Sequence, residues 1–356
     1  MSGEEAIFKP EQYTVGWICA LSLEMAAARG MLDDIHPNLS YQDPNDSNSY
    51  ILGEIYGHNI VVACLPSGIY GTTPAATVAN NLLRTFKSIR FGLLVGIGGG
   101  APSPEHDIRL GDVVISQPSE TLGGIVQHDR GKILSQGGFK RTGSHNAPPT
   151  LLLSALTRLQ ATHMSADSQV PKFLAQLVEK SPKRMKSKFK HQGASNDRLY
   201  QAEYDHVDPE NPRCDNCDEA KIVSRDDDEP FFHYGIIASG NQVIKDGRTW
   251  TSLNQQCGGA LCFEMEAAGL CDFPCLVIRG ICDYADSHKN KVWQAYAAAT
   301  AAAFTKELLL YIATEQVAKE RKLLTELIST VKKATRFESK VSRNRNHQID
   351  AGESTT

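Results

Sequence analysis

Residues 262–286 constrain the chain most. They begin Cys262-Phe263-Glu264-Met265-Glu266-Ala267-Ala268-Gly269, pass through the apolar run Cys275-Leu276-Val277-Ile278, and close on Arg279-Gly280-Ile281-Cys282-Asp283-Tyr284-Ala285-Asp286. The pattern predicts a buried strand whose end carries carboxylates, a small-residue helix start, a turn, and a second buried strand ending at Asp283. Carboxylates there are costly for a core, because each needs a partner or water. Open α/β sheets bind ligands outside the carboxyl ends of their strands, which makes Glu266 and Asp283 candidate site residues. The alternative for Glu266 is a buried carboxylate capping the helix that follows it.

The remaining segments supply the rest of such a sheet. Residues 13–21 form an apolar strand leading into a helix, with Ser22 as the candidate cap and Glu24 in the first turn. On spacing alone, Glu24 fits a carboxylate favoured by the helix dipole as well as it fits a site. Strands over 49–56 and 59–65 turn around Gly57-His58. The Gly-rich turn Pro66-Ser67-Gly68-Ile69-Tyr70-Gly71-Thr72-Thr73-Pro74 then opens a helix over 75–86, a generic anion or hydroxyl pocket. Residues 91–101 run as a buried strand into glycines, where a backbone or a ligand could come close. Pro102 and Pro104 stand where a helix should start, which excludes a dinucleotide fingerprint. Strands at 110–116 and 233–244 follow, the second containing Ser239-Gly240-Asn241, and a helix is expected over 291–310. Alternating strands and helices predict an α/β fold.

Composition narrows the classes. At 356 residues and a formal charge of −4, the chain has no nucleic-acid footprint. It has no apolar run of about eighteen residues and no signal-peptide core, so no membrane partner is expected. Nine scattered cysteines argue for reduced thiols and a cytoplasmic protein. The expected layout is an N-terminal tail at 1–12 and a domain at 13–314 with an insertion at about 131–230. An amphipathic helix at 315–336 and a disordered tail at 337–356 complete it. The insertion is expected to hold helices at 150–162 and 170–180. It also carries Cys214-Asp215-Asn216-Cys217. One CxxC lacks the second ligand pair of a zinc site, and His206 and His191 stand at no motif spacing. No metal and no cofactor are therefore assigned.

Together these motifs resemble the purine-nucleoside and uridine phosphorylase superfamily, and within it the methylthioadenosine/S-adenosylhomocysteine nucleosidases. They are similar also to a fungal group often fused to nucleotide-binding immune-type receptors. The phrases Ala238-Ser239-Gly240-Asn241-Gln242-Val243-Ile244-Lys245-Asp246-Gly247, Phe263 through Gly269, and Arg279 through Asn290 carry the resemblance. It implies a three-layer α/β fold with a central mixed sheet flanked by helices, and a homo-oligomer acting on a small purine nucleoside or nucleotide. It gives Glu24 the role of activating water, Met265 a place under the ribose, and Glu266 the ribose hydroxyls. Asp283 becomes the proton donor to purine N7, with Cys282 in place of the family's serine. Ser67 and Gly68 match a turn near the ribose, and Asn241, Gln242 and Val243 fall at the base. Val243 replaces the family's stacking aromatic, which leaves stacking weaker or supplied by Tyr234 or the insertion.

Water or phosphate could be the nucleophile. Phosphorylases of this family place an arginine and a hydroxyl at the glycine-rich strand end, and this chain has Leu94 and Ile97 there. A phosphate dianion would lose two strong contacts, so hydrolysis is expected. Some immune-receptor relatives cleave adenine from ATP, which keeps ATP beside a nucleoside as candidate substrate. Arg130, Lys132, Lys245 and Arg248 are the candidate phosphate-binding cations. The competing class is a non-catalytic binding or signalling module.

Overall fold

The computed structural model describes residues 8–135, 139–208, 211, 214–223, 230–323 and 325. The first half contains β1 (Val15–Cys19), α1 (Ser22–Met31), β2 (Asp34–Ile35), β3 (Tyr50–Ile55), β4 (His58–Cys64), α2 (Thr72–Thr85), β5 (Phe91–Gly100), β6 (Val113–Ser116) and β7 (Ile125–Gln127). The ribbon β8 (Gly131–Ile133) and β9 (Phe139–Arg141) precedes α3 (Thr150–His163), α4 (Val170–Lys180) and α5 (Lys183–Phe189). The chain then forms β10 (Phe232–Gly235), β11 (Ile237–Ser239), α6 (Gly247–Gln256), β12 (Cys262–Glu264), β13 (Cys275–Asp283), α7 (Gln294–Leu309) and α8 (Thr314–Lys319).

The main sheet is mixed and flanked by helices, with strand order β10-β6-β13-β5-β1-β4-β3-β2. Strand β5 is its axis. It pairs in parallel with β1 and β13, and its last residues, Gly99 and Gly100, pair antiparallel with β12. Strands β11 and β7 extend from β12. The two carboxylate-bearing strands are thus not neighbours, because β5 lies between β12 and β13. Both β5 and β13 are nearly continuous apolar runs, as strands covered on both faces require. The alanine-rich α7 lies against them. A Cβ on Gly280 would sit 1.9 Å from the Ala297 carbonyl oxygen, so β13 admits the helix backbone itself.

The helices expected in the insertion form as α3 and α4 and join the core through Leu152, Leu156, Leu159, Phe173 and Leu177. Glu307 on α7 fixes them. It accepts bonds from the Gln169 amide (2.8 Å) and Ser168 Oγ (2.7 Å), and pairs with His163 Nε2 (3.1 Å).

Four local expectations change. The strand at 233–244 divides into β10, which pairs with β6, and β11, which pairs with β12 and β7. Leu21, not Ser22, is the cap residue of α1, and the side chain that binds the cap backbone is Glu24. The stretch 1–12 is not all tail, since Phe8 stacks on His36 at 3.7 Å and Pro10–Gln12 form a helical turn. The helix expected at 315–336 is broken, α8 ending at an extended Glu320 before Leu323 and Thr325 are helical again. Most of the remainder of that helix, and the tail at 337–356, lie outside the described residues. No described helix is long and apolar enough to cross a membrane.

Candidate active site

At the carboxyl ends of β1, β5 and β13 the chain opens a cavity of about 290 Å³, lined by Glu24, Ile97, Gln242, Val243, Met265, Glu266 and Asp283 among others. Glu24 is buried just past β1. Its Oε2 accepts from the amides of Ala20 (2.7 Å) and Leu21 (2.9 Å), and its Oε1 accepts from Ile97 N on β5 (2.8 Å). Three amide donors fix the group, yet burial raises its pKa, opposed mainly by the charge of Arg279.

Arg279 is the centre of the arrangement. It lies on β13 with no solvent exposure and pairs with Glu264 and, at 3.2 Å, with Glu266. Burial works against its charge, but Glu264, Glu266 and Glu24 together raise its pKa and keep it a guanidinium. Gly96 leaves the room for this: a Cβ there would come within 2.5 Å of both Arg279 Nη1 and Glu24 Oε1. Glu264 accepts from the amides of Glu266 and Ala267 (both 3.1 Å), so the turn Ala267–Leu270 is capped by Glu264. That removes the capping role considered for Glu266. Burial, and then the charges of Glu264 and Glu24, lift Glu266 to about 7 against the pull of Arg279.

Asp283 ends β13 in a different setting. Its Oδ1 accepts from Ala285 N (3.0 Å), and its Oδ2 meets Cys282 Sγ (3.1 Å) and Lys289 Nζ (3.0 Å). Burial works against the Lys289 charge, but Asp283 raises that pKa overall. Ala285 has a φ of 54°, which bends the chain so that Lys289 can return to the strand end.

The other sequence candidates divide. Met265 lines the cavity, as do Gln242 and the half-exposed Val243, while Tyr70 adds an aromatic that the motifs did not single out. Tyr234, considered as a stacking substitute, instead packs toward Phe304. Ser67 and Gly68 lie exposed in the turn before α2 and do not line the cavity. Asn241 is turned away as well. Its Oδ1 accepts from Thr72 N and Oγ1 (3.1 and 3.0 Å) and its amide donates to Asp129 Oδ2 (2.7 Å), tying α2 to the end of β11. Leu94 is wholly buried, and only Ile97 of the pair weighed against phosphate faces the cavity. Arg130, Lys132, Lys245 and Arg248 are exposed and outside the lining, and Arg248 is held by Asp205 (3.2 Å) and the Glu203 carbonyl (2.6 Å). The cavity's own cations are Lys289 and Lys291. Arg279, Glu264 and Lys289 were given no role from sequence. Arg279 carried a visible signal, a lone charge inside an apolar strand that has to be paired.

No family model matches the chain. A solved methylthioadenosine/S-adenosylhomocysteine nucleosidase from Neisseria meningitidis, in complex with methylthio-immucillin-A, superposes with a TM-score of 0.52 at 19% identity, covering 83% of this chain and 98% of that one. The chain has the fold of the methylthioadenosine/S-adenosylhomocysteine nucleosidases. Futalosine hydrolase of Helicobacter pylori shares this nucleosidase fold at a TM-score of 0.51 and 17% identity, over 83% and 97% of the two chains. In sequence, the Mycobacterium bovis nucleosidase is 25% identical over 306 residues, 83% of this chain and 95% of that protein. A nucleotide-binding leucine-rich repeat-like protein of Hyaloscypha variabilis is 46% identical over 318 residues. That match takes in 88% of this chain, which spans only 30% of the longer protein.

Proposed function

We propose that the chain is a purine nucleosidase that hydrolyses the N-glycosidic bond of an adenine nucleoside or nucleotide and releases the free base. The observation that carries this is the convergence of Glu24, Glu266 and Asp283 on one cavity, with the first two backed by a buried arginine. Bond breaking leaves positive charge on the sugar and an electron pair on the base. Asp283, ion-paired with Lys289 at rest, takes up a proton as substrate binds and gives it to purine N7, and Lys289 holds the carboxylate again once the proton has left. Glu266 binds the ribose hydroxyls and, with Glu24, presents negative charge to the oxocarbenium-like sugar. Glu24 takes a proton from the attacking water, a role suited to a carboxylate whose pKa burial has raised.

Water fits this cavity better than phosphate. Arg279 is already shared among three carboxylates, so it offers no free positive charge to a dianion. Ile97 offers no side-chain donor, and its amide is taken by Glu24. The exposed rim of Ile69, Tyr70 and Val243 suits closure by a second copy of the chain. Within a longer receptor-like protein the same unit would act as its nucleotide-consuming domain.

The test is chromatography of products from a panel of purine nucleosides and nucleotides, ATP included, with and without phosphate. Free base released equally in both conditions supports the nucleosidase. Base release that strictly requires phosphate and yields ribose 1-phosphate contradicts it, and no release from any compound favours a binding module.

A further inference from the structure

We propose that His206, Cys214 and Cys217 bind a zinc ion that braces the insertion against the loop following Asp283. Their ligand atoms lie within 4.8 Å of one another. The Cys217 amide reaches the Cys214 carbonyl (3.3 Å), and this tight turn sets both thiols of the CxxC on one side. Neither cysteine is in a disulfide. Tetrahedral zinc, with bonds of about 2.0–2.3 Å, holds neighbouring donors about 3.5–3.8 Å apart, so the three groups need to close by at most about an ångström. Two thiolates and an imidazole are donors that select zinc over calcium or magnesium.

An independent observation lies beside the triad. His288 is only 5% exposed, and among the described residues neither ring nitrogen has a hydrogen-bond partner, while Asp286 lies 3.5 Å away. Its ring centroid lies 5.3 Å from that of His206, just outside the three-ligand group, so a shift of the loop would be needed to bring it in as a fourth donor. A buried imidazole without partners is costly, and a metal would remove that cost.

The placement explains what the ion would do. Ser287 Oγ accepts from the His206 amide (2.9 Å), and Tyr200 stacks on His288 at 4.0 Å. Cys214 shares a second cavity, of about 230 Å³, with Asp283, His288 and Lys289. The three ligands belong to the insertion, and Ser287 and His288 beside them belong to the loop after β13. Zinc binding would order both together, as metal binding orders other small loops.

The experiment is metal analysis of the full chain purified under reducing conditions, beside a Cys214→Ser/Cys217→Ser variant. We expect about one zinc per wild-type chain and none above background in the variant. Cobalt(II) added to stripped wild type should give thiolate charge-transfer absorption and the intense visible bands of a tetrahedral site. Stripping wild type with a chelator should speed proteolytic cleavage within residues 190–223 several-fold, which keeps the test independent of how the variant folds. Reduced wild type that takes up no more zinc or cobalt than the variant would overturn the proposal. So would a Cys214–Cys217 disulfide in freshly isolated protein.

Discussion

Arg279 and Lys289 both neutralise carboxylates of the candidate site, but from opposite settings. Arg279 sits inside β13, wholly buried, and two ion pairs tie it to β12 and the turn that follows. Lys289 sits on the loop after β13, its side chain 26% exposed, with a single ion pair to Asp283. The Glu266 side of the site is thereby built into the core, whereas at the Asp283 side the cation comes from a loop beside the insertion. Damage to the first should spread into the fold. Damage to the second should appear mainly in the rate.

The largest expected effect is that of Arg279→Met. It leaves Glu24, Glu264 and Glu266 buried without their cation, and breaking such a cluster costs about 3–5 kcal/mol. Calorimetry should show that loss together with loss of base release. Asp283→Asn should lower kcat by about 10²–10⁴-fold with Tm nearly unchanged. A fall in Tm as large as that of Arg279→Met would erase the contrast between the two regions. Lys289→Met should lower kcat by about 10–100-fold, because the carboxylate formed on Asp283 loses its partner. If KM alone changed, Lys289 would serve binding and not the transition state.

The smallest effect is one of pH. In the proposed role Glu266 must be ionised to accept the ribose hydroxyls, and its pKa is raised to about 7. As pH falls below that value it takes up a proton, so kcat/KM should drop by about tenfold per unit below about pH 7. A profile flat down to about pH 5 would mean that Glu266 is not held by burial as described.

Much of the sheet was legible because its strands are long apolar runs with clear breaks, as in residues 91–101 and 275–283. Glu24, Glu266 and Asp283 could be found because each follows or ends such a run. What sequence did not give is pairing. Nothing in the spacing says that β5 separates β12 from β13, that Glu264 takes the capping bonds considered for Glu266, or that Glu24 reaches across to Ile97 N. The same holds for Asn241 and Arg248, whose polar groups are spent on Thr72 and on Asp205 away from the cavity. Side-chain type survives a reading in one dimension. Partnership between distant residues does not, and the meeting of Glu24 with Arg279 is a partnership of that kind.

The central claim is that water, activated beside Glu24, attacks the sugar. It is tested most directly by running the reaction in water carrying heavy oxygen, with phosphate present, and weighing the sugar product. Hydrolysis predicts free ribose or ribose phosphate ester with one heavy oxygen at C1, formed at the same rate as free base. Ribose 1-phosphate without the label, or base release that stops when phosphate is removed, would contradict it.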